Sequence, residues 1–222
     1  MVIRYPAPMA TPKRDWLLLV GAFAIVACAR QATDRTYTAG DSMVPTIAVG
    51  ARVAASVLEH EPARGRVVVF RAPERPDREY VKRIVGIAGD TISSNGTEIS
   101  LNGAPIPRCR VGAFGYAEAD GGLRAGELWL EALDGRSWLV FHSATDGSIP
   151  SGPWTVPPVE VFVLGDSREN SHDSRFWFDG KGGGLPLRFI VGTAVGVGAP
   201  VLPKGAEALE PALATCAAAL SK

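Results

Sequence analysis

Short β-branched runs, each cut off by glycine, proline or an aspartate–glycine or asparagine–glycine pair, recur along this chain and steer it toward a β architecture. Residues 53–57, 66–71, 80–87, 159–164 and 189–197 have the β-branched content and turn-rich flanks of strands. The 25 glycines and 17 prolines among 222 residues supply the punctuation, so many short strands joined by turns are expected. Residues 71–77 hold two prolines and several charges and read as a hairpin loop. From about Ile92 to Pro158 the pattern tightens. Asn102–Gly103, Asp120–Gly121, Asp134–Gly135 and Asp146–Gly147 are turn pairs between short runs, which predicts a small β subdomain set into a larger β core. The tail from Pro203 is rich in alanine and leucine. Residues 206–220 read as a helix interrupted at Pro211, lying on the surface without chemistry. The chain has no internal repeats.

Composition removes several function classes. Lys+Arg and Asp+Glu are both 23, so the formal net charge is zero. No basic surplus points to nucleic acid, and no acidic surplus points to a disordered tail. The three cysteines, Cys28, Cys109 and Cys216, lack zinc-like spacing. A Cys109–Cys216 disulfide and two free thiols are both compatible with the sequence. No His/Cys/carboxylate cluster suggests a metal, and no cofactor is implied.

Three separated segments make chemical sense together: GDSMVPT at 40–46, YVKRIVGIAGD at 80–90 and GDSRENSHDSR at 165–175. The first offers Ser42 in a turn that begins with Gly40 and is kept from continuing as a strand by Pro45. A serine hydroxyl near its free pKa is a poor nucleophile and needs a positioned base. In the second segment, an extended chain puts Tyr80, Lys82 and Ile84 on one face and Val81, Arg83 and Val85 on the other. A lysine with apolar neighbours is expensive to bury charged and tends to lose its proton, which is what a base needs near neutrality. Arg83, facing oppositely, is expected in a structural ion pair. In the third segment, Asp166 with Arg168 and Asp173 with Arg175 are spaced to brace a loop by bidentate pairing. His172 invites a Ser171–His172–Asp173 triad, but adjacent residues in an extended loop rarely point at one another. His60 and His142 lack partners in the sequence and read as surface residues. The chain therefore reads as a serine–lysine hydrolase.

Together these segments resemble the conserved boxes of the type I signal peptidases, membrane-anchored serine–lysine endopeptidases that remove signal peptides from exported proteins. The resemblance runs from about Ala39 to Val197, with one poorly matching insert. It implies Ser42 as nucleophile and Lys82 as general base, with Ser171 hydrogen-bonding and orienting the lysine and Asn170 holding its loop. Asp166, Arg168, Asp173 and Arg175 are assigned to scaffolding. Relatives that carry a serine at the position of Gly40 use its hydroxyl in the oxyanion hole. With Gly40 here, the hole relies on backbone N–H groups, that of Ser42 first. A substrate peptide would add as a strand, with Met43, Ile47, Tyr80 and Val81 lining pockets for alternate side chains. Small residues at the first and third positions before the cut, the A-x-A pattern, are implied. The chain departs from the pattern at Ala51 and Arg66, where relatives have aspartate, and at Ala88, where proline is usual. The continuation DGKGGGLP after Phe178 suggests a flexible loop beside the site.

The N-terminus carries Lys13, Arg14 and Asp15, then an uncharged run from Trp16 to Ala29, then Arg30. As a helix the run spans about 21 Å, short of the roughly 30 Å hydrocarbon core. A tilted or snorkelling anchor, a cleaved signal peptide and a lipoprotein signal with lipid on Cys28 are all open. Membrane attachment is the reading adopted, with the first residues inside and the rest on the outer, extracytoplasmic side.

The expected organisation is a mainly β protein with one N-terminal apolar helix. Residues 1–14 form a tail, 15–30 the anchor, 31–91 and 159–200 the catalytic β core, 92–158 the inserted β subdomain and 201–222 a C-terminal tail. The expected partners are preprotein signal peptides and membrane lipid, with no nucleic acid. Two other readings stand beside a general signal peptidase. One is a specialised maturase of the same family, for example of pilin subunits. The other is a catalytically inactive, membrane-tethered peptide-binding module, against which intact Ser42, Lys82 and Ser171 argue. A self-cleaving repressor relative is disfavoured by the apolar N-terminal run.

Overall fold

The structure, a computed structural model, describes residues 36–56, 61–144 and 149–221. The apolar run at 16–29, Cys28, Val57, His60 and the Asp146–Gly147 pair lie outside the described residues. Among the described residues no helix is long and apolar enough to cross a membrane.

Among the described residues the period-two pattern of the sequence folds as fourteen strands in three sheets. The largest sheet holds β1 (Thr36–Thr38), β2 (Arg52–Ser56), β14 (Ile190–Ala194), β3 (Val67–Ala72), β4 (Arg75–Ile87), β12 (Glu160–Leu164) and β13 (Leu185–Pro186), in that spatial order. Strand β3 is buried on both faces. Val67 and Val69 join Met43, Ile47, Val53 and Val81 in one apolar cluster, while Val68 and Phe70 join Ile84, Val163 and Trp177 in another. Fully burying each such side chain contributes about 1.5–3 kcal/mol, so the centre of this sheet is the anchor for whatever β4 carries.

The two smaller sheets come from the region between the second and third motifs. One has the order β11 (Trp154–Thr155), β5 (Thr91–Asn95), β6 (Glu98–Leu101), β7 (Ala104–Pro105); the other is β10 (Arg136–Ser143), β9 (Leu123–Leu133), β8 (Arg108–Ala117). The hairpin turns at Asn102–Gly103 and Asp134–Gly135 have φ of 53° and 83°, and 51° and 71°. Positive φ at both central residues is what a tight two-residue hairpin needs. Val85, Phe162 and Leu164 of the large sheet pack with Ile92, Ile99, Trp138 and Trp154 of the smaller ones.

Three expectations change. Much of 71–77 is strand rather than loop: β3 and β4 meet at a turn over Pro73 and Glu74, with Ala72 opposite Arg75. The register slips between Arg71 and Ala72, and Pro76 falls in that irregular stretch, where its missing N–H costs no ladder bond. Second, Pro211 opens the C-terminal helix instead of interrupting it. Helix α1 (Glu210–Leu220) has Pro211 in its first turn, where an N–H would have no partner anyway. Third, this helix is not a bare surface element. Leu213 and Cys216, three apart on one face, are buried with Val111, Leu128, Leu130 and Phe141. Cys109 and Cys216 form a disulfide across a Cα–Cα distance of 5.4 Å, tying α1 to β8.

Candidate active site

Residues Asp41–Met43 form one turn of 3-10 helix, pinned to the core by the buried Met43. The Ser42 carbonyl accepts a hydrogen bond from Ser167 N–H at 3.1 Å, which ties the first motif to the third. Gly40 is extended, with φ −82° and ψ −159°, and a Cβ built on it meets nothing within 4 Å. Neither backbone strain nor contact with the rest of the described chain requires glycine there. The Ser42 N–H lies in the first turn, among the donors that a helix start leaves without an intrahelical partner.

Lys82 reaches this turn from β4. Its Nζ lies 2.5 Å from Ser42 Oγ and 3.1 Å from the Val81 carbonyl, and 5.8 Å from the centre of the Tyr80 ring. The residue is 2% exposed. Burial lowers its pKa from 10.5 to about 8; Asp173 and Asp166 pull the other way, and Arg175 adds to the lowering. The neighbouring charges largely cancel, because Arg83, Arg168 and Arg175 are each matched by a carboxylate of Asp166, Glu131 and Asp173. Little surplus negative charge is left to hold an ammonium.

A stability consequence follows. At pH 7 lysine is protonated in both folded and unfolded chains, and the lowering from 10.5 to about 8 costs the folded state about 3 kcal/mol. Between pH 8 and 10.5 the folded chain has released the proton and the unfolded chain has not, so the cost disappears as pH rises. Lys82→Met should therefore be more stable than the parent chain at pH 7, with the gap closing near pH 10. Denaturant midpoints of the two proteins at both pH values measure this; a constant offset would contradict it.

The polar scaffold behind the pair differs from the expected i,i+2 braces in one half. Asp173 does pair with Arg175, accepting from Nε and Nη2 at 2.8 Å each, and also accepts the Gly165 N–H at 2.9 Å. Burial alone would push the Asp173 carboxyl up, but Arg175 and the Gly165 N–H outweigh it and hold it below the usual carboxylate range. Asp166, however, does not pair with Arg168. It accepts Arg83 Nε and Nη2 at 2.8 and 2.7 Å and is hydrogen-bonded by Thr46 Oγ1. Arg168 turns to Glu131 at 2.5 Å, and Glu131 also accepts the Trp138 indole N–H at 3.1 Å. Both arginines are buried, and a buried guanidinium is stabilised by whichever carboxylate the fold brings to it, however distant in sequence.

Gly165 is where glycine is needed. A Cβ there would lie 2.2 Å from Ser171 Oγ and 2.5 Å from the Ser42 carbonyl oxygen. Ser171 thus packs directly against the turn that bears Ser42. The expected Ser171–Lys82 hydrogen bond is not formed. The Ser171 hydroxyl helps to lower the Asp173 pKa, yet it is buried without a hydrogen-bond partner of ordinary geometry. Asn170 Nδ2 donates to Tyr116 Oη at 3.4 Å.

The histidines are reassigned. His172 faces Glu74 at 3.0 Å, with its side chain 57% exposed, and makes no triad. His142 is buried rather than on the surface, with Nδ1 2.8 Å from Glu169 Oε1. Glu169 also accepts the Ser143 N–H, and these contacts hold its carboxyl low against the opposing effect of burial. The glycine-rich loop is tied down as well: the Lys181 carbonyl accepts the Trp154 indole N–H at 2.8 Å, and Gly183 N–H donates to Ser174 O at 2.8 Å. It borders a cavity lined by Trp154 and Phe178 whose lining does not include Ser42.

A cleft of about 440 Å³ opens at the Ser42–Lys82 pair, between Tyr37–Gly40 on one side and Arg78–Val81 on the other. Met43, Tyr80 and Val81 line it, with His172 at its rim. Ile47 does not; it is buried in the cluster with Val53, Val67 and Val69. Among the described residues no group of three or more His, Cys, Asp or Glu is arranged to hold a metal. Chemically, the arrangement joins a hydroxyl to a buried amine whose pKa is lowered to about 8, within an open cleft. Sequence reasoning missed Glu131, Tyr116 and Glu74. None carries a motif signal, although Glu131 stands out as the lone carboxylate in the run Leu128–Ala132.

Comparison with known proteins gives a consistent answer. The family model for signal peptidase, peptidase S26, matches residues 13–198. A signal peptidase I of Pseudomonas aeruginosa is 37% identical over 144 residues, covering 62% of this chain and 49% of that protein. One from Pseudomonas fluorescens is 34% identical, covering 54% of this chain and 41% of that protein. One from Leptolyngbya laminosa is 27% identical over 189 residues, covering 81% and 72%. The chain thus spans about half the length, or less, of the two Pseudomonas relatives it matches.

Proposed function

The chain belongs to the signal peptidase family, peptidase S26, and from that premise we propose that it is a serine endopeptidase whose Ser42–Lys82 dyad removes N-terminal signal peptides from exported preproteins at A-x-A sites. The observation that carries this reading is the 2.5 Å contact between Ser42 Oγ and the amine of a lysine that is 2% exposed, at the floor of an open cleft.

Substrate enters as a strand. Strand β12 pairs with β4 only from Arg83 onward, so among the described residues no strand covers that edge of β4 from Arg75 to Lys82. Strand β1 is likewise paired on one side only, with β2. An extended peptide laid between these edges finds backbone partners, and its alternate side chains meet Met43, Tyr80 and Val81.

With Lys82 neutral, Ser42 Oγ attacks the scissile carbonyl carbon while its proton passes to Nζ. The developing oxyanion is held by backbone donors, the Ser42 N–H first. Collapse of the tetrahedral adduct breaks the C–N bond, and the Lys82 ammonium returns its proton to the leaving amine. Lys82 then takes a proton from water, which attacks the Ser42 ester; as the second adduct breaks its C–Oγ bond, Nζ returns that proton to Oγ, releasing the acid and restoring the hydroxyl and the neutral amine. Residues 16–29 are read as the membrane attachment, with the catalytic domain on the outer side. Residues 31–91 and 159–200 are read as the catalytic core, and 92–158 as its insert.

The test is cleavage of a preprotein bearing an A-x-A site by the detergent-solubilised full chain, with Ser42→Ala alongside. Failure of the parent chain to cleave sinks the reading, and cleavage by the variant sinks the dyad. The pH profile is a second check. Only the unprotonated amine is a base, so kcat/KM should rise about tenfold per pH unit below the Lys82 pKa and level off above about 8. Flat activity from pH 6 to 9 would remove Lys82 from the mechanism.

A further inference from the structure

The third motif reaches Ser42 through one backbone bond, Ser167 N–H to the Ser42 carbonyl at 3.1 Å. What holds Ser167 in place comes from the inserted strands. Tyr116, on β8, has its hydroxyl 3.2 Å from Ser167 Oγ and accepts from Asn170 Nδ2 at 3.4 Å. One phenol thus touches both ends of the segment Ser167–Asn170, which is itself closed by Asn170 N–H to Ser167 O at 3.1 Å. The ring is fixed by an edge-on contact with Phe141, centroids 5.2 Å apart, and lies beside Phe114, its neighbour on the same face of β8. Phe141 grips the same segment by its backbone: its N–H donates to Asp166 O at 2.8 Å, and its carbonyl accepts from Arg168 N–H at 3.0 Å. The end of the β8–β9 hairpin also touches the first motif, where Ala119 N–H donates to Asp41 Oδ2 at 3.4 Å.

We propose that Tyr116 is a positioning residue for the nucleophile, acting through Ser167 to hold the Ser42 turn at its distance from Lys82. The proposal rests on the reading of Ser42 as nucleophile. Tyr116 does not line the substrate cleft, so it acts on the geometry of attack and not on peptide binding. With the phenol oxygen removed, Ser167 and Asn170 each lose a partner, and the Ser42 carbonyl is held by a looser segment. The ring contacts with Phe141 and Phe114 survive in Tyr116→Phe, so the fold is retained.

The experiment compares the full chain in detergent with Tyr116→Phe, Ser167→Ala and the double variant. Tyr116→Phe should lower kcat about tenfold with KM within about twofold and the thermal midpoint little changed. Ser167→Ala should do the same, and the double variant should lose no more than either single one, since both act on one contact. An unchanged kcat, or losses that multiply, overturns the proposal. Deuterium exchange at the Ser167 amide is read in parallel and should be faster in Tyr116→Phe. If the parent chain cleaves no preprotein, the functional reading fails by itself, and unchanged Ser167 exchange still decides against Tyr116.

Discussion

A chain carrying Ser42→Ala is expected to cleave a signal-peptide substrate at least about a thousandfold more slowly than the parent, and Lys82→Ala should fall to the same floor. In the proposed mechanism the two residues act on one proton, passed across the 2.5 Å between Oγ and Nζ. Without the hydroxyl there is no acyl intermediate. Without the amine, the hydroxyl keeps its proton and stays a weak nucleophile. Because each loss disables the same step, the double variant should be no worse than either single one. Lys82→Arg should be as inactive, since a guanidinium keeps its proton in a protein. The two single variants should differ in stability, not in activity: Ser42→Ala leaves the buried amine in place, and Lys82→Ala removes its desolvation cost. Initial rates with a quenched peptide, alongside denaturation midpoints, separate these. A variant at either position that retains more than about a hundredth of kcat would break the assignment.

The parts of this site that were legible in the sequence are those with a local rule. Alternation along residues 80–87 separates Lys82 from Arg83 because successive side chains in a strand face opposite ways. In the structure Lys82 meets Ser42 while Arg83 meets Asp166. The Asp173–Arg175 pair was legible for the same reason: its members are two apart. Partners brought together only by tertiary structure were not. Asp166 lies 83 residues from Arg83, and Glu131 lies 37 from Arg168, so spacing within the third motif suggested a pair that does not form. His142 looked solitary because Glu169 is 27 residues away. The Cys109–Cys216 link closes a separation of 107, at which the sequence favours neither disulfide nor free thiols. Among the strands, the interiors were legible from β-branched content. The 71–77 stretch was not, because two prolines mark a turn without saying that one of them sits in a strand irregularity.

Asp166→Ala should be among the most destabilising substitutions in the chain while also moving the pH profile. The carboxylate is 1% exposed and takes two bonds from Arg83, whose side chain is 4% exposed, plus one from Thr46. Its removal leaves a buried guanidinium with the Gly65 carbonyl at 2.7 Å, the Thr46 hydroxyl at 3.2 Å and the Trp138 ring at 4.9 Å, and no carboxylate. Breaking such a pair from one side costs about 3–5 kcal/mol, because the remaining charge is neither solvated nor matched. For a domain of this size that lowers the thermal midpoint by on the order of 10 °C. Replacing both members, as Arg83→Met with Asp166→Leu, should recover most of the loss, since no charge is then stranded. The same carboxylate helps to keep the Lys82 proton on. With Asp166 gone and Arg83 unmatched, the local field turns positive, so the Lys82 pKa falls below about 8 and the midpoint of the kcat/KM profile moves to lower pH. Below that midpoint a larger fraction of Asp166→Ala molecules holds a free base, so activity at low pH falls less than the loss of stability alone suggests. An unshifted midpoint, or a thermal loss no greater than that of a surface substitution, would show that the Arg83–Asp166 pair supports neither the fold nor the base.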